Sequence, residues 1–272
     1  VIPERLGWVP HALSLEIRKV LSYRVDFWAQ LLGAVFTELG MAYFLWKSVY
    51  ASQGVERIGG YSFGSMMLYY LLIPLTARMI RGDENRFISD EIYEGGLTRF
   101  LVYPLPFLGY KYLTQLASAL LGVLQLGIGL AIFAWTVGFP PELDIGAGAM
   151  MQGLVAGFAA SVLYFFIAAC IEMVSFWQDS VWSLMVMVRF VMLLSGGGLV
   201  PLALFPDWAH ALLERLPFAY LISFPIRCFM GGVAMGEWWR GLGMIVLWTL
   251  GLAIIARWIW IRGTRQYSGV GL

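Results

Sequence analysis

The sequence predicts an all-α integral membrane protein, and three observations carry that reading. Hydrophobic residues make up 60% of the 272 positions and charged residues only 13%, whereas a water-soluble domain carries about 25% charge. Apolar stretches of spanning length recur along the chain, about 20 residues being enough to cross hydrocarbon. The 12 Trp and 13 Tyr suit a protein with two membrane–water interfaces to line. The mean hydropathy of +0.75 agrees.

Six segments qualify as spans: residues 27–46, 61–80, 112–137, 145–171, 181–205 and 239–259. The fifth is interrupted in its outer part by Gly196, Gly197, Gly198 and Pro201. The first apolar stretch runs on at spanning length, so no cleavable signal peptide is expected. The whole chain, 1–272, reads as one transmembrane domain.

Flanking charge sets the orientation, because Lys and Arg accumulate on the cytoplasmic side. Of the 18 Lys and Arg, Lys47, Arg57, Arg215, Arg227 and Arg240 fall on one side and Arg189 within a span. The remaining 12, Arg5 and Arg86 among them, fall on the other. Both termini are therefore expected in the cytoplasm of a multi-pass protein of the cytoplasmic (inner) membrane. Cys170 then lies near the inner face and Cys228 outside, so the two should not pair.

Three segments are neither spans nor plain loops. Residues 10–24 place Leu13, Ile17, Val20 and Leu21 on one helical face, with Glu16, Arg18 and Lys19 elsewhere. This is the pattern of an amphipathic helix lying on the inner surface; a plain extension of the first span is the alternative. Residues 82–110 form the longest inner loop and the densest in charge, with a short helix expected to end near Gly95 and Gly96. Residues 205–238 are expected to hold two short re-entrant helices on the outer side before the last span. Asp207 would cap the first, which would run to Leu216 and stop at Pro217; Pro225 breaks the second. Such pieces are too short to cross and must pack against the bundle.

Catalytic and nucleotide-binding chemistry is poorly represented. No Gly-x-x-x-x-Gly-Lys-Ser/Thr phosphate loop occurs. The run Leu194-Ser195-Gly196-Gly197-Gly198 looks like an ATPase signature but sits in an apolar stretch and lacks the Gln. His11 and His210 are far apart and outside the spans, two cysteines make no metal framework, and a net charge of +1 gives no footprint for nucleic acid. Glu38 and Arg189 stand near mid-span, where a charge costs about 2.5–3.5 kcal/mol even on lenient scales. Pairing, within one chain or across a dimer, is one way to relieve that cost; a watery cavity or separate snorkelling is the other. Ala149, Gly153, Gly157 and Ser161 recur every four residues, a spacing that lets two helices approach closely, within the bundle or between copies. No inverted repeat is visible, which argues against a carrier built from two matching halves.

Taken together, the surface helix, six spans, long second inner loop and paired re-entrant helices resemble a type-2 ABC exporter permease. The residues carry the likeness further. Ile92-Tyr-Glu-Gly-Gly-Leu-Thr-Arg-Phe-Leu-Val-Tyr-Pro-Leu-Pro106 is similar to that family's inner-loop pattern. Leu194-Ser-Gly-Gly-Gly-Leu-Val-Pro-Leu-Ala-Leu-Phe-Pro206, continued by Leu216-Pro-Phe-Ala-Tyr and by Pro225 through Gly231, resembles its Ser-Gly…Pro…Phe-Pro stretch. The resemblance implies a dimer with a second copy or a related permease chain, joined to two ABC ATPase subunits that bind the ATP and Mg. This chain itself would hold no cofactor, no metal and no catalytic residue. Residues 90–101 would be the coupling helix, presenting Asp90, Glu91, Ile92, Tyr93, Glu94, Gly95, Gly96, Leu97 and Arg99. Glu91 and Glu94 would meet basic ATPase residues, and Ile92 and Leu97 would anchor the contact. Gly196, Gly197, Gly198, Pro201, Pro206, Pro217 and Pro225 would shape the exit gate. The competing readings are a membrane enzyme acting on lipid or isoprenoid substrates, and a non-transporting membrane scaffold.

Overall fold

The computed structural model describes residues 7–82, 88–102 and 106–267. Arg5, Arg86 and Pro104 lie outside them. The described residues form an all-helical bundle: α1 (Trp8–Ser22), α2 (Arg24–Gln53), α3 (Phe63–Arg81), α4 (Ile88–Tyr93), α5 (Leu97–Val102), α6 (Phe107–Thr136), α7 (Ala147–Glu172), α8 (Trp182–Ser195), α9 (Asp207–Leu213), α10 (Ser223–Phe229) and α11 (Met235–Gln266). Five of them, α2, α3, α6, α11 and α7 with its 3-10 continuation Met173–Phe176, are long and apolar enough to cross a membrane.

The amphipathic segment is a helix of its own. Tyr23, at φ −100° and ψ 32°, breaks the chain between α1 and α2. The buried side of α1 carries Glu16 and Val20, and Leu21 is left half exposed. Its contact is with α6, where the Tyr110 hydroxyl donates to Glu16 Oε1 at 3.0 Å.

Helix α3 is the hub. Its hydropathy, 1.3, is well below the 2.4 of α7 and the 2.0 of α11, yet 78% of its apolar window is buried against 11% for α11. The low value comes from polar-tipped residues that the bundle interior can satisfy, such as the wholly buried Tyr69. Close approach to α3 is made by small residues. A Cβ on Gly122 of α6 would stand 2.8 Å from the Arg78 carbonyl carbon and the Met79 nitrogen. On α7, a Cβ at Gly157 would overlap the Met79 methyl and one at Gly153 the Phe229 ring. Ala149 and Ser161 are buried as well, so the four-residue stripe packs inside one chain.

The fifth expected span differs most from expectation. Helix α8 has 14 residues, about 21 Å at 1.5 Å per residue, short of a hydrocarbon core of about 30 Å. It ends in a glycine cap: Gly197 is left-handed at φ +87°, Gly198 N–H donates to Leu193 O at 2.8 Å and Gly196 N–H to Met192 O at 2.8 Å, the pattern of a Schellman stop. Beyond it come a 3-10 turn Leu202–Leu204, α9, a second 3-10 turn Pro217–Tyr220 and α10. Helix α9 starts at Asp207 and stops at Leu213, so Asp207 opens the helix instead of capping it. Helix α10 is almost wholly buried, with Pro225, Ile226 and Cys228 in the core, against α7 and α3.

Candidate functional site

The loop between α3 and α6 folds into two short helices, where one was expected. Helix α4 closes with Glu94 N–H on Asp90 O at 2.9 Å. Gly95, at φ +75°, turns the chain in a conformation only glycine adopts freely, and α5 follows. A second apolar cluster lies beneath them, formed by Ile88, Ile92, Leu97, Phe107, Phe165, Ala169, Met173 and Ala256. Ile92 and Leu97 are therefore anchors into this chain's own bundle, a correction to their expected role as contacts for a partner.

Three polar ties hold this unit down. The Glu172 carboxylate at the end of α7 accepts the Ile88 N–H, and the Ser89 N–H at 3.4 Å. It thereby satisfies two of the N–H groups that the first turn of α4 leaves without an intrahelical partner. The sequence alone assigns Glu172 no role. A carboxylate closing an apolar span was the available signal, but its partner is 84 residues away. Glu91 is the second tie. It bonds Arg99 Nη2 at 2.9 Å and Lys111 Nζ at 2.9 Å, linking α4 to α5 and to the start of α6. Burial alone would raise its carboxyl, but the Lys111 bond and the charges of Lys111 and Arg99 outweigh that and hold it below the usual carboxylate range. Its carboxylate is occupied, so of the two glutamates expected to reach a partner only Glu94 is exposed, together with Asp90. The third tie is Tyr93, whose hydroxyl donates to Gln178 O at 2.9 Å. Aromatic contact stiffens the base: Phe107 stacks on Trp260 of α11 at 5.1 Å and meets Phe100 edge-on at 5.1 Å.

At the opposite end of the bundle, the glycine break after α8 is fastened to α3. Tyr69 donates to Gly197 O at 2.8 Å and Tyr70 to Leu199 O at 2.7 Å, while Ser223 N–H donates to Gly196 O at 3.0 Å. A Cβ on Gly196 would stand 2.7 Å from Phe218 O. The structure thus brings Gly196, Gly197 and Gly198 together with the 3-10 turn that begins at Pro217 and with the helix that contains Pro225. Pro201 and Pro206 instead bracket the turn Leu202–Leu204 that leads to α9.

Glu38 and Arg189 are both half buried. Among the described residues, Arg81 places a positive charge where it acts on Glu38. Among the described residues no group of three or more His, Cys, Asp or Glu is placed to hold a metal ion.

The family model for an ABC-2 family transporter protein matches residues 36–271. No curated protein and no solved structure matches the chain.

Proposed function

Because the chain belongs to the ABC-2 family of membrane transporters, we propose that it is the permease subunit of an ATP-binding cassette exporter. It works beside a second permease chain, identical or related, and is driven by two separate ATPase subunits. As a transporter subunit and not an enzyme, it leaves ATP and Mg to those partners.

The observation that carries this reading is the construction of α4 and α5. A loop that only carried inner-face charge would have no need of a buried apolar underside, a borrowed carboxylate cap and a two-cation clamp on Glu91. An element that receives a push from closing ATPases does need them. Force applied at the exposed Asp90 and Glu94 passes through Glu172 to α7 and through Glu91 and Lys111 to α6, instead of being absorbed by a loose loop. In the proposed arrangement α8 and the segment after it, through Leu204, complete a sixth crossing, and α9 and α10 are the re-entrant pieces on the outer side. The Gly196–Gly197–Gly198 break with Pro201, Pro206, Pro217 and Pro225 belongs to the exit gate. The exposed apolar faces of α2 and α11, with Phe36, Phe44, Leu250 and Ile254, meet lipid or the second permease. Both termini are cytoplasmic.

The test is charge inversion of the exposed tip alone, Asp90→Lys with Glu94→Lys, in a permease co-expressed with its ATPase. The protein should insert and unfold normally, while the ATPase dissociates or hydrolyses ATP without moving substrate. Glu56→Lys, on an exposed loop at the other end, is the control; Glu142 serves less well because its carboxylate accepts the Ser62 hydroxyl that caps α3. Normal transport by the double variant removes α4 as the coupling element, and failure to capture any ATPase removes the exporter reading. Orientation is read by single-cysteine labelling of intact cells. Ser52 and Gly146 should react from outside, and Glu94 and Asp179 should not. Glu94 is preferred to Ser89 in this loop because Ser89 is buried; Ser268, a further inner position, lies outside the described residues.

A further inference from the structure

A cavity of about 700 Å³ opens between the α9–α10 segment and the first turns of α11, at the end of the bundle away from α4. Its floor is apolar, with Leu202, Phe224 and Met244. Its rim is charged: Arg215, Arg227, Arg240 and His210 face Glu214 and Glu237. Glu237 pairs with Arg227 at 2.7 Å, and Glu214 lies 3.6 Å from the His210 imidazole, an ion pair only when that ring is protonated. Arg215 and Arg240 enter no ion pair among the described residues, and both are exposed. Arg240 Nε makes one weak bond, to Gly236 O at 3.4 Å. Three guanidinium groups against two carboxylates leave a net positive rim over an apolar floor, within the size range of ligand pockets, about 300–1,000 Å³.

We propose that this cavity binds the phosphate headgroup of an anionic amphiphile, with Arg215 and Arg240 on the phosphate and the first chain segments on Phe224 and Met244. Guanidinium matches phosphate oxygens in a two-pronged geometry that an ammonium lacks. The apolar floor adds what a free anion has no use for. In the orientation proposed above the site faces the outer leaflet, which is where an exporter of a lipidic substrate would release it. This placement rests on the permease reading; the binding itself does not.

The experiment needs no ATPase. Purified full-length protein is titrated in detergent with short-chain phosphatidylglycerol, short-chain phosphatidylcholine and glycerol phosphate, with binding read by tryptophan fluorescence and by native mass spectrometry. Phosphatidylglycerol should bind best, and Arg215→Gln with Arg240→Gln should weaken it by at least about tenfold, the loss of charge-assisted bonds. Ala211→Trp, which fills the cavity from the exposed face of α9 and keeps both arginines, should weaken it as well. Thermal unfolding of each variant monitors folding. Equal binding of the two lipids, or phosphatidylglycerol binding unchanged in either variant, overturns the proposal. Glycerol phosphate binding as tightly as the lipid overturns the amphiphile and identifies a soluble anion site. A protein that passes this test but moves no lipid with its ATPase keeps the site and loses only the idea that the bound amphiphile is the exported substrate; failure to capture any ATPase is what removes the exporter reading.

Discussion

Glu172→Ala isolates the link between α4 and the membrane bundle. Helix α4 is six residues long, too short to stand without tertiary support, and two of its first N–H groups rest on one buried carboxylate. A hydrogen bond to a charged acceptor contributes about 1.5–3 kcal/mol and to a neutral one about 1 kcal/mol. The 3.4 Å bond to Ser89 is the weaker of the pair. Loss of both should therefore cost about 2–4 kcal/mol locally. Hydrogen exchange at the Glu94 amide, which closes α4 on Asp90, reads this directly. Exchange should speed up by roughly 30- to 1,000-fold, the same energy expressed as a population of the open form. Exchange in α3 should not change, since Glu172 is tied to the Ile88 and Ser89 amides of α4. Glu172→Gln keeps an acceptor and should lose about 1 kcal/mol. On the permease reading proposed above, an ATPase assembled with Glu172→Ala should hydrolyse ATP with reduced movement of substrate. If α4 keeps its protection, or if α3 loses as much as α4, the carboxylate is not what holds α4 in place.

Glu91 makes the same loop acid-sensitive. Its folded carboxyl titrates below its unfolded value, so the stabilisation is fully present above the unfolded value and is lost as pH falls through the lowered one; the protection of the α4–α5 amides, measured relative to their intrinsic exchange rate at each pH, should fall over that acid range in the wild type and fall less in Glu91→Gln. Tyr69→Phe removes the hydroxyl that holds Gly197 O and should lower stability by about 1–2 kcal/mol, measured as thermal unfolding in detergent; no change would mean the glycine break is held by other groups. For the intramembrane charges, a cycle of Glu38→Gln with Arg81→Gln should show coupling above about 0.5 kcal/mol, whereas Glu38→Gln with Arg189→Gln should be additive within that margin in the monomer. Coupling of Arg189 that emerges only in the dimer would place the Glu38–Arg189 pair between chains.

Several features were legible in the residues because they depend on local composition. Apolar length marked α3, α6 and α7 within about five residues at each end, whereas α2 and α11 run on past their apolar stretches through polar or Arg-rich turns that hydropathy discounts. Gly196 to Gly198 announced the end of α8, since left-handed backbone at Gly197 is a local requirement. The two-helix form of the inner loop was missed because Gly95 was read as a terminator, whereas it is a hinge whose second arm, α5, is stabilised by Leu97 in the core. Ile92 and Leu97 were assigned to a partner for a related reason: an apolar residue in a charged loop must be covered, and sequence does not say by what.

The sequence by itself determined the solvent, the helical class and the family, since backbone groups in hydrocarbon have no partners but their own helix and apolar length is a local property. Only the tertiary structure decided which helix is central, which glycines touch which neighbours, and that Glu172 belongs to α4. The physical reason is that lipid is as apolar as the bundle interior. Burial therefore leaves no mark in hydropathy, and the least hydrophobic of the well-packed spans, α3, proves to be the one that the others surround. Contacts such as Glu172 with Ile88 or Tyr69 with Gly197 join residues 84 and 128 positions apart, and no local rule reaches that far.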